Sequence, residues 1–220
     1  MRYQNQLFQQ RENALLEVAR QLLQSQSWDR VTIAEVAHRA GIGKGTVYKH
    51  FPSKEALYAR LVLDRSREHL AALRTLYAES PPTQAMARVI RQAFAQMFAD
   101  PLQAQLSLLC DRPAFQERLE PLYQRQFLEL EGQYLALFSQ MLRDRFHDFT
   151  GDYQYLLWGL EACINGVILR IASEGSRVGS ITLNEYFDHV TNFIIASLHG
   201  QTSVPRCQTI SCETVPYSAD

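Results

Sequence analysis

Apolar residues recur at helical spacing along almost the whole chain of 220 residues. The clearest example is a stripe in residues 11–25, formed by Leu15, Val18, Ala19, Leu22 and Leu23. The same spacing predicts long helices from residue 54 onward, over 114–146, over 152–174 and from about 182 to 198. No segment shows the alternating pattern typical of a strand. The sequence therefore predicts an all-α fold.

Two much shorter helices follow the first helix. Thr32 and Glu35 have the spacing of a capping box, which marks the start of a helix only about two turns long. Gly41 is placed to take the left-handed conformation that ends a helix. A second short helix then runs from about Gly43 to Phe51. Two short helices joined by a tight glycine-bearing turn, with a longer helix before them, indicate a helix-turn-helix.

The turn has the sequence GIGKGT (41–46), which resembles a nucleotide-binding loop at first sight. A P-loop, however, requires Gly, four residues and then Gly-Lys-Ser/Thr. Here Gly45 follows Lys44, and His38 stands where the first glycine would be. A dinucleotide fingerprint would follow a buried strand, whereas a helix pattern precedes this turn. We therefore interpret the glycines as a turn that leaves the start of the second short helix bare, so that its N–H groups can approach phosphate.

The second short helix and its neighbours carry side chains suited to duplex DNA. Lys44 begins the helix, where a cation can reach phosphate or a guanine edge. Thr46 and Lys49 are three residues apart and can face the major groove together. Groups suited to phosphate oxygens are found at Tyr48, His50 and Lys54. The alternative is a generic helical core whose lysines are simply solvated.

Charge is unevenly distributed along the chain, although the formal net charge is only −1. Residues 1–60 carry nine Lys/Arg against five Asp/Glu, whereas residues 61–220 carry thirteen against eighteen. This asymmetry suggests that only the N-terminal part meets an anionic partner. The overall charge also argues against non-specific DNA packaging, which depends on neutralising many phosphates.

The segment TIAEVAHRAGIGKGTVYKHFPSKEALY (32–58) closely resembles the DNA-binding domain of the tetracycline-repressor (TetR) family, and the resemblance covers roughly residues 10–60. It implies a three-helix DNA-binding domain over 1–54 and a larger helical ligand-binding and dimerisation domain over 55–200. The polar sequence of 201–220 predicts a flexible tail. The resemblance implies phosphate contacts for Thr32, Tyr48, His50 and Lys54, and base or phosphate contacts for Lys44, Gly45, Thr46 and Lys49.

The resemblance also implies a function. We expect a homodimeric transcriptional regulator, most simply a repressor, that leaves a palindromic operator in double-stranded DNA when a small-molecule effector binds. A regulator of the same fold that has no inducer, and is controlled by a protein partner or by its own abundance, is the alternative.

The last two long helices are expected to pair with those of a second subunit. On the first of them small residues cluster on one side, namely Gly159, Ala162, Cys163 and Gly166. The final helix has a stripe formed by Tyr186, Val190, Phe193, Ile194 and Ser197. Alternatively, both faces are part of the core of a single chain.

A ligand pocket would have mainly apolar walls. The candidates are Phe98, Leu106, Cys110, Phe127, Tyr134, Phe138 and Trp158. Glu161 and Asn165 lie on the same side of the helix as Trp158. Burying polar side chains without hydrogen-bond partners is costly, so they either form hydrogen bonds within the protein or orient a ligand. Such walls would suit a hydrophobic or amphipathic small molecule, although each wall residue taken singly is more simply explained as ordinary core.

Other functional classes have little support. No apolar run reaches the eighteen or so residues of a membrane span, and the N-terminus lacks the apolar core of a signal peptide, so we expect a cytoplasmic protein. Its cysteines are then reduced thiols. Cys207 and Cys212 lack a second pair of zinc ligands, so no metal is expected. No nucleophile-elbow or paired-carboxylate motif indicates an enzyme, and no cofactor is expected.

Overall fold

A computed structural model describes residues 2–174 and 182–203, and within these ranges the chain is helical without any strand. Ten helices are described there. They are α1 (Arg2–Ser25), α2 (Ile33–Arg39), α3 (Lys44–His50), α4 (Lys54–Glu79), α5 (Pro82–Ala99), α6 (Pro101–Cys110), α7 (Pro113–Gln116), α8 (Pro121–Arg145), α9 (Tyr153–Glu174) and α10 (Leu183–Ser203). The prediction of an all-α fold is confirmed.

Helices α1 to α3 form the N-terminal unit. Thr32 caps α2 by accepting the N–H of Glu35 at 3.2 Å. Gly41 has φ +64°, the left-handed conformation predicted for it, and the N–H of Ile42 donates to the carbonyl of Ala37 at 3.0 Å. The side chains that hold α3 against α1 and α4 are fully buried: Leu15, Leu22, Val47, Phe51 and Leu57.

The longest helix, α4, runs from the N-terminal unit into the larger bundle. Its N-terminus is capped by Ser53, whose hydroxyl accepts the N–H of Ala56 at 3.0 Å. It packs against α5, α6 and α8, while α9 packs on α6 and α8, and α10 packs on α5. One hydrophobic core therefore runs through the described residues, from Leu15 in α1 to Leu198 in α10.

Two sequence-based helix boundaries differ from the structure. The helix expected over 114–146 is in fact two helices, α7 and α8. The break occurs at Glu120-Pro121, because proline disfavours helical backbone at the residue before it and is itself favoured in the first helical turn. The last helix extends beyond Leu198 to Ser203. The predicted tail lies outside the described residues from 204 onward, as do Cys207 and Cys212.

Candidate nucleic-acid interface

Helix α3 presents one face to solvent and the other to the core. Val47 is fully buried, as is Phe51, the residue that ends the helix. The outward positions are Lys44, Gly45, Tyr48 and Lys49, all of them exposed, with Thr46 partly exposed beside them. A Cβ built on Gly45 would meet nothing within 4 Å, so the backbone is bare at the start of the helix. This is the arrangement that lets a helix N-terminus approach a phosphate.

The positive charges of α3 are available to an external partner. Lys44 and Lys49 form no ion pair with any described residue. Lys44 lies beside the exposed ring of Tyr48, with 6.0 Å between its Nζ and the ring centroid. The whole chain has only three lysines, and all three belong to this region: Lys44, Lys49 and Lys54. The face of α3 therefore combines cations with a phenol tip and bare backbone, a set of groups suited to phosphates and base edges.

Lys54 is held in place by its neighbours rather than extended into solvent. Its Nζ donates to the carbonyl oxygen of Asp29 at 3.0 Å and lies over the rings of Trp28 (5.7 Å) and Tyr58 (5.5 Å). Partial burial lowers the pKa of the Lys54 amine. The cation–π contacts fix the ammonium at the start of α4. Sequence spacing gave no indication of this aromatic enclosure.

His50 lies in a more enclosed place than the sequence suggested. Only 2% of its side chain is exposed, because the ring stacks on Phe8 with 4.0 Å between centroids. Glu12 lies on the same side of α1, one helical turn after Phe8. Its Oε2 is 3.8 Å from Nδ1 of His50. We expected His50 to present a free hydrogen-bonding tip, and the structure instead packs it against α1.

The predicted pocket residues fall into two groups. Six of them, on α5, α6 and α8, belong to the hydrophobic core or pack against it: Phe98, Leu106, Cys110, Phe127, Tyr134 and Phe138. The hydroxyl of Tyr134 donates to the carbonyl oxygen of Ser66 at 2.8 Å, and burial raises the pKa of Tyr134 to about 12. Burial likewise raises the pKa of the Cys110 thiol. The groups in this interior are thus neutral at ordinary pH.

The other three pocket candidates lie on α9, away from that cluster. Trp158 is 55% exposed and stands edge-on to Tyr155, Asn165 is exposed, and Glu161 is half-buried. The apolar side of α9 around Trp158 was expected to face the core, and the structure instead turns it outward. The core contacts of α9 come from a different side, which includes Leu160, Ile164 and Val167.

The predicted dimer residues surround this outward side of α9. Gly159, Ala162 and Gly166 are exposed, as are Phe193 and Ser197 on α10, whereas Cys163, Tyr186 and Val190 are half-buried and Ile194 is buried in its own chain. Sequence reasoning did not include Tyr155, Trp158 or Leu169 in this surface. We call these three residues and Phe193 the α9–α10 face; each of the four is between 55% and 69% exposed.

A crevice of about 430 Å³ lies where α1, α4 and the start of α6 meet. Its lining includes Arg20, Arg65 and Asp100. Asp100 accepts a hydrogen bond from Nη2 of Arg20 at 2.5 Å and lies 3.6 Å from Nε of Arg65. None of the predicted pocket residues lines this crevice. It therefore forms a polar junction between the N-terminal unit and the larger bundle.

Among the described residues, no group of three or more His, Cys, Asp or Glu side chains could hold a metal ion. None of the helices in this part of the chain has the length and hydropathy needed to cross a membrane.

A glycine-closed turn between two short helices, with an outward helix bearing cations, defines a helix-turn-helix DNA-binding protein. Residues 15–61 match the sequence model of the bacterial regulatory proteins of the tetR family. The match falls on the segment whose sequence resembles this family.

Curated transcriptional regulators match less than half of the chain. The transcriptional regulator AlkX of Mycobacterium tuberculosis is 33% identical over 94 residues, which cover 41% of this chain and 44% of AlkX. The regulator TtgR of Pseudomonas putida is 28% identical over 88 residues, which cover 39% of this chain and 42% of TtgR. The chain thus spans less than half the length of the curated relatives it matches.

Solved structures extend the likeness to the larger bundle. FadR of Bacillus subtilis, solved in complex with stearoyl-CoA, has a TM-score of 0.66 at 15% identity, covering 83% of this chain and 97% of its own. At this level of identity the likeness establishes the fold alone.

Proposed function

We propose that the protein is a homodimeric transcriptional regulator that binds a palindromic operator and leaves it when a small molecule occupies the larger bundle. The exposed face of α3 is the single observation that carries the DNA-binding part of this proposal. It places Lys44, Tyr48 and Lys49 beside bare backbone on a helix held from behind by buried Val47 and Phe51. The contacts proposed for Gly45, Thr46 and Thr32 follow from the same orientation.

Dimerisation is supported by the α9–α10 face. Four large apolar side chains are exposed there on two neighbouring helices, and such contiguous patches in monomers usually mark interaction sites. A Cβ added at Gly159 or Gly166 would meet nothing within 4 Å, so a partner helix can approach α9 closely. A symmetric dimer would present two copies of α3 to successive major-groove half-sites about 34–36 Å apart. We therefore assign Trp158 to the dimer interface rather than to a ligand pocket.

The effector is proposed to be hydrophobic or amphipathic. The α5–α6–α8 interior is lined by aromatic and aliphatic side chains, and Tyr134 supplies a neutral hydroxyl. FadR of Bacillus subtilis, which shares the fold, was solved with stearoyl-CoA, a molecule with a long acyl chain. An effector that separates α6 from α8 would favour one arrangement of α4, and a population shift of this kind would change the separation of the two α3 helices.

DNA binding can be tested by selecting duplex fragments from the host genome on the purified full-length protein. Lys49→Ala should weaken binding of the selected fragment and reduce the slope of log affinity against log salt by about 0.9, because one phosphate contact is lost. Arg143→Ala is the matched control, since it removes an exposed cation from α8, far along the chain from α3. Equal affinity of wild type and Lys49→Ala would count against the site.

Chemical labelling offers a second test. Because all three lysines lie at the proposed interface, amine-reactive labelling of side chains reports on this surface alone. Bound fragment should protect Lys44 and Lys49, whereas Lys54 should react slowly with or without DNA because it is enclosed. Unchanged labelling of Lys44 and Lys49 on saturation with DNA would contradict the proposed orientation of α3.

The effector is tested on the protein–DNA complex with a series of saturated fatty acids and their acyl-CoA thioesters. Release of the selected fragment, together with a raised melting temperature of the DNA-free protein, is the expected result. If neither class of compound releases the fragment, the acyl-chain assignment is rejected while DNA binding stands.

A further inference from the structure

His50 ends the recognition helix α3 and is enclosed by two side chains of α1. Phe8 stacks on its ring, and the Glu12 carboxylate lies 3.8 Å from Nδ1. That nitrogen has no hydrogen-bond partner within the described part of the chain, although it is buried. A buried imidazole nitrogen is costly to leave unpaired, so the nearby carboxylate is a favourable neighbour.

The other oxygen of Glu12 is committed to α4. Oε1 lies 2.9 Å from Nη1 of Arg60, and Nε of Arg60 donates to Asp64 at 2.7 Å. The Glu12 side chain is only 12% exposed. One buried carboxylate on α1 thus faces both the end of the recognition helix and the helix that enters the larger bundle.

We propose that Glu12 is a positioning residue for DNA binding, which ties the end of α3 to α4 through His50 and Arg60. The inference rests on the proposed function and adds a residue to it that touches no DNA. His50 acts in this arrangement as a packing partner of Phe8 and Glu12 rather than as a phosphate ligand. Glu12 thereby fixes the angle at which α3 leaves the N-terminal unit.

The direction in which neutralising Glu12 changes the affinity for DNA separates a positioning role from a purely electrostatic one. A carboxylate that merely lay near a DNA-binding surface would repel phosphates, and its neutralisation would strengthen binding. A positioning carboxylate has the opposite effect, because its loss leaves α3 less well held. Glu12→Gln removes the charge and keeps the size of the side chain, so it distinguishes the two.

The matched control is Glu17→Gln, which makes the same change on the same helix. Glu17 is exposed, and its only described contact is a hydrogen bond from Gln21 at 2.8 Å. Full-length wild type, Glu12→Gln and Glu17→Gln are compared on the genomic fragment selected by the wild type. We expect roughly three- to tenfold weaker binding by Glu12→Gln, with an unchanged salt slope, and no weakening by Glu17→Gln. Equal or tighter binding by Glu12→Gln would overturn the proposal.

Hydrogen exchange of the DNA-free proteins gives a readout that needs no operator. The N–H of Phe51 donates to the carbonyl of Val47 at 2.8 Å at the end of α3. The N–H of Phe51 should exchange faster in Glu12→Gln than in Glu17→Gln, because the end of α3 has lost its contact with the Glu12 carboxylate. Equal exchange in the two variants would refute the positioning role. Failure of the wild type to select any fragment would instead refute the proposed function, and the exchange comparison would still decide the role of Glu12.

Discussion

Asp100→Ala should destabilise the protein more than the loss of one surface ion pair would, because this carboxylate has two structural roles. Oδ1 caps α6 by accepting the N–H of Gln103 at 3.1 Å. Oδ2 lies 2.5 Å from Arg20 in α1 and 3.6 Å from Arg65 in α4. Only 7% of the side chain is exposed. One residue thus stabilises a helix start and joins the N-terminal unit to the larger bundle.

The helix cap and the ion pair contribute comparable amounts to the free energy of unfolding. Loss of an N-cap costs about 1 kcal/mol. The ion pair adds about 1 kcal/mol. The larger penalty for a stranded buried charge does not apply in full, since the Arg20 and Arg65 side chains are 30% and 42% exposed, although Nε of Arg65 itself is buried. Asp100→Ala should therefore cost about 2 kcal/mol. Asp100→Asn, which keeps a capping side chain, should cost about 1 kcal/mol.

The assay is urea unfolding at one fixed protein concentration, because the stability of the proposed dimer would depend on concentration. Each kcal/mol should also lower the melting temperature by about 2–4 °C for a chain of this size. Glu129→Ala, which removes an exposed carboxylate from α8, serves as the control. Equal free energies of unfolding for Asp100→Ala and Glu129→Ala would refute the two roles of Asp100. So would an Asp100→Asn variant that is as unstable as Asp100→Ala.

Three other predictions test separate features. Gly41→Ala should lose about 1–2 kcal/mol in urea unfolding, because an alanine at φ +64° is strained, and Gly41→Asn should lose less; equal losses would contradict this cause. Phe193→Glu should give monomers in analytical ultracentrifugation, whereas Leu128→Glu, which changes an equally exposed residue on α8, should stay dimeric; a dimeric Phe193→Glu would refute the proposed interface. Burial raises the pKa of Tyr134 from its ordinary value of 10 to about 12. The stability that its neutral hydroxyl contributes is therefore complete below pH 10 and is lost as the pH rises from 10 through 12. Tyr134→Phe should flatten part of the alkaline fall in melting temperature.

Features set by local backbone chemistry could be predicted from the sequence. Thr32 caps the helix that its spacing from Glu35 indicated, and Ser53, Asp100 and Thr182 cap α4, α6 and α10 in the same local way. Gly41 adopts the left-handed conformation expected at the end of α2. In each case the cause lies within three or four residues, so spacing alone is sufficient to recognise it.

Features set by distant contacts could not be predicted in this way. The enclosure of His50 depends on Phe8, which is 42 residues away along the chain and belongs to the opposite end of the N-terminal unit. The placement of Trp158 has a different cause. An apolar stripe on a helix predicts burial without indicating whether its own chain or another one supplies the cover. The exposed fraction of Trp158 shows that its own chain does not cover it, and that fraction belongs to the folded chain rather than to the pattern.

Helix α1 is attached to the larger bundle at two points, and this determines how motion can reach the recognition helix. Glu12 pairs with Arg60 of α4, and Arg20 pairs with Asp100 at the start of α6. Eight residues of helix separate the two anchors by about 12 Å. A single ion pair would let α1 pivot about one point, whereas two ion pairs at this distance make α1 move with α4 and α6 as a rigid body. In the proposed mechanism, an effector that shifts α6 therefore carries the whole three-helix unit with it, and α3 changes its position on DNA without any change inside the helix-turn-helix.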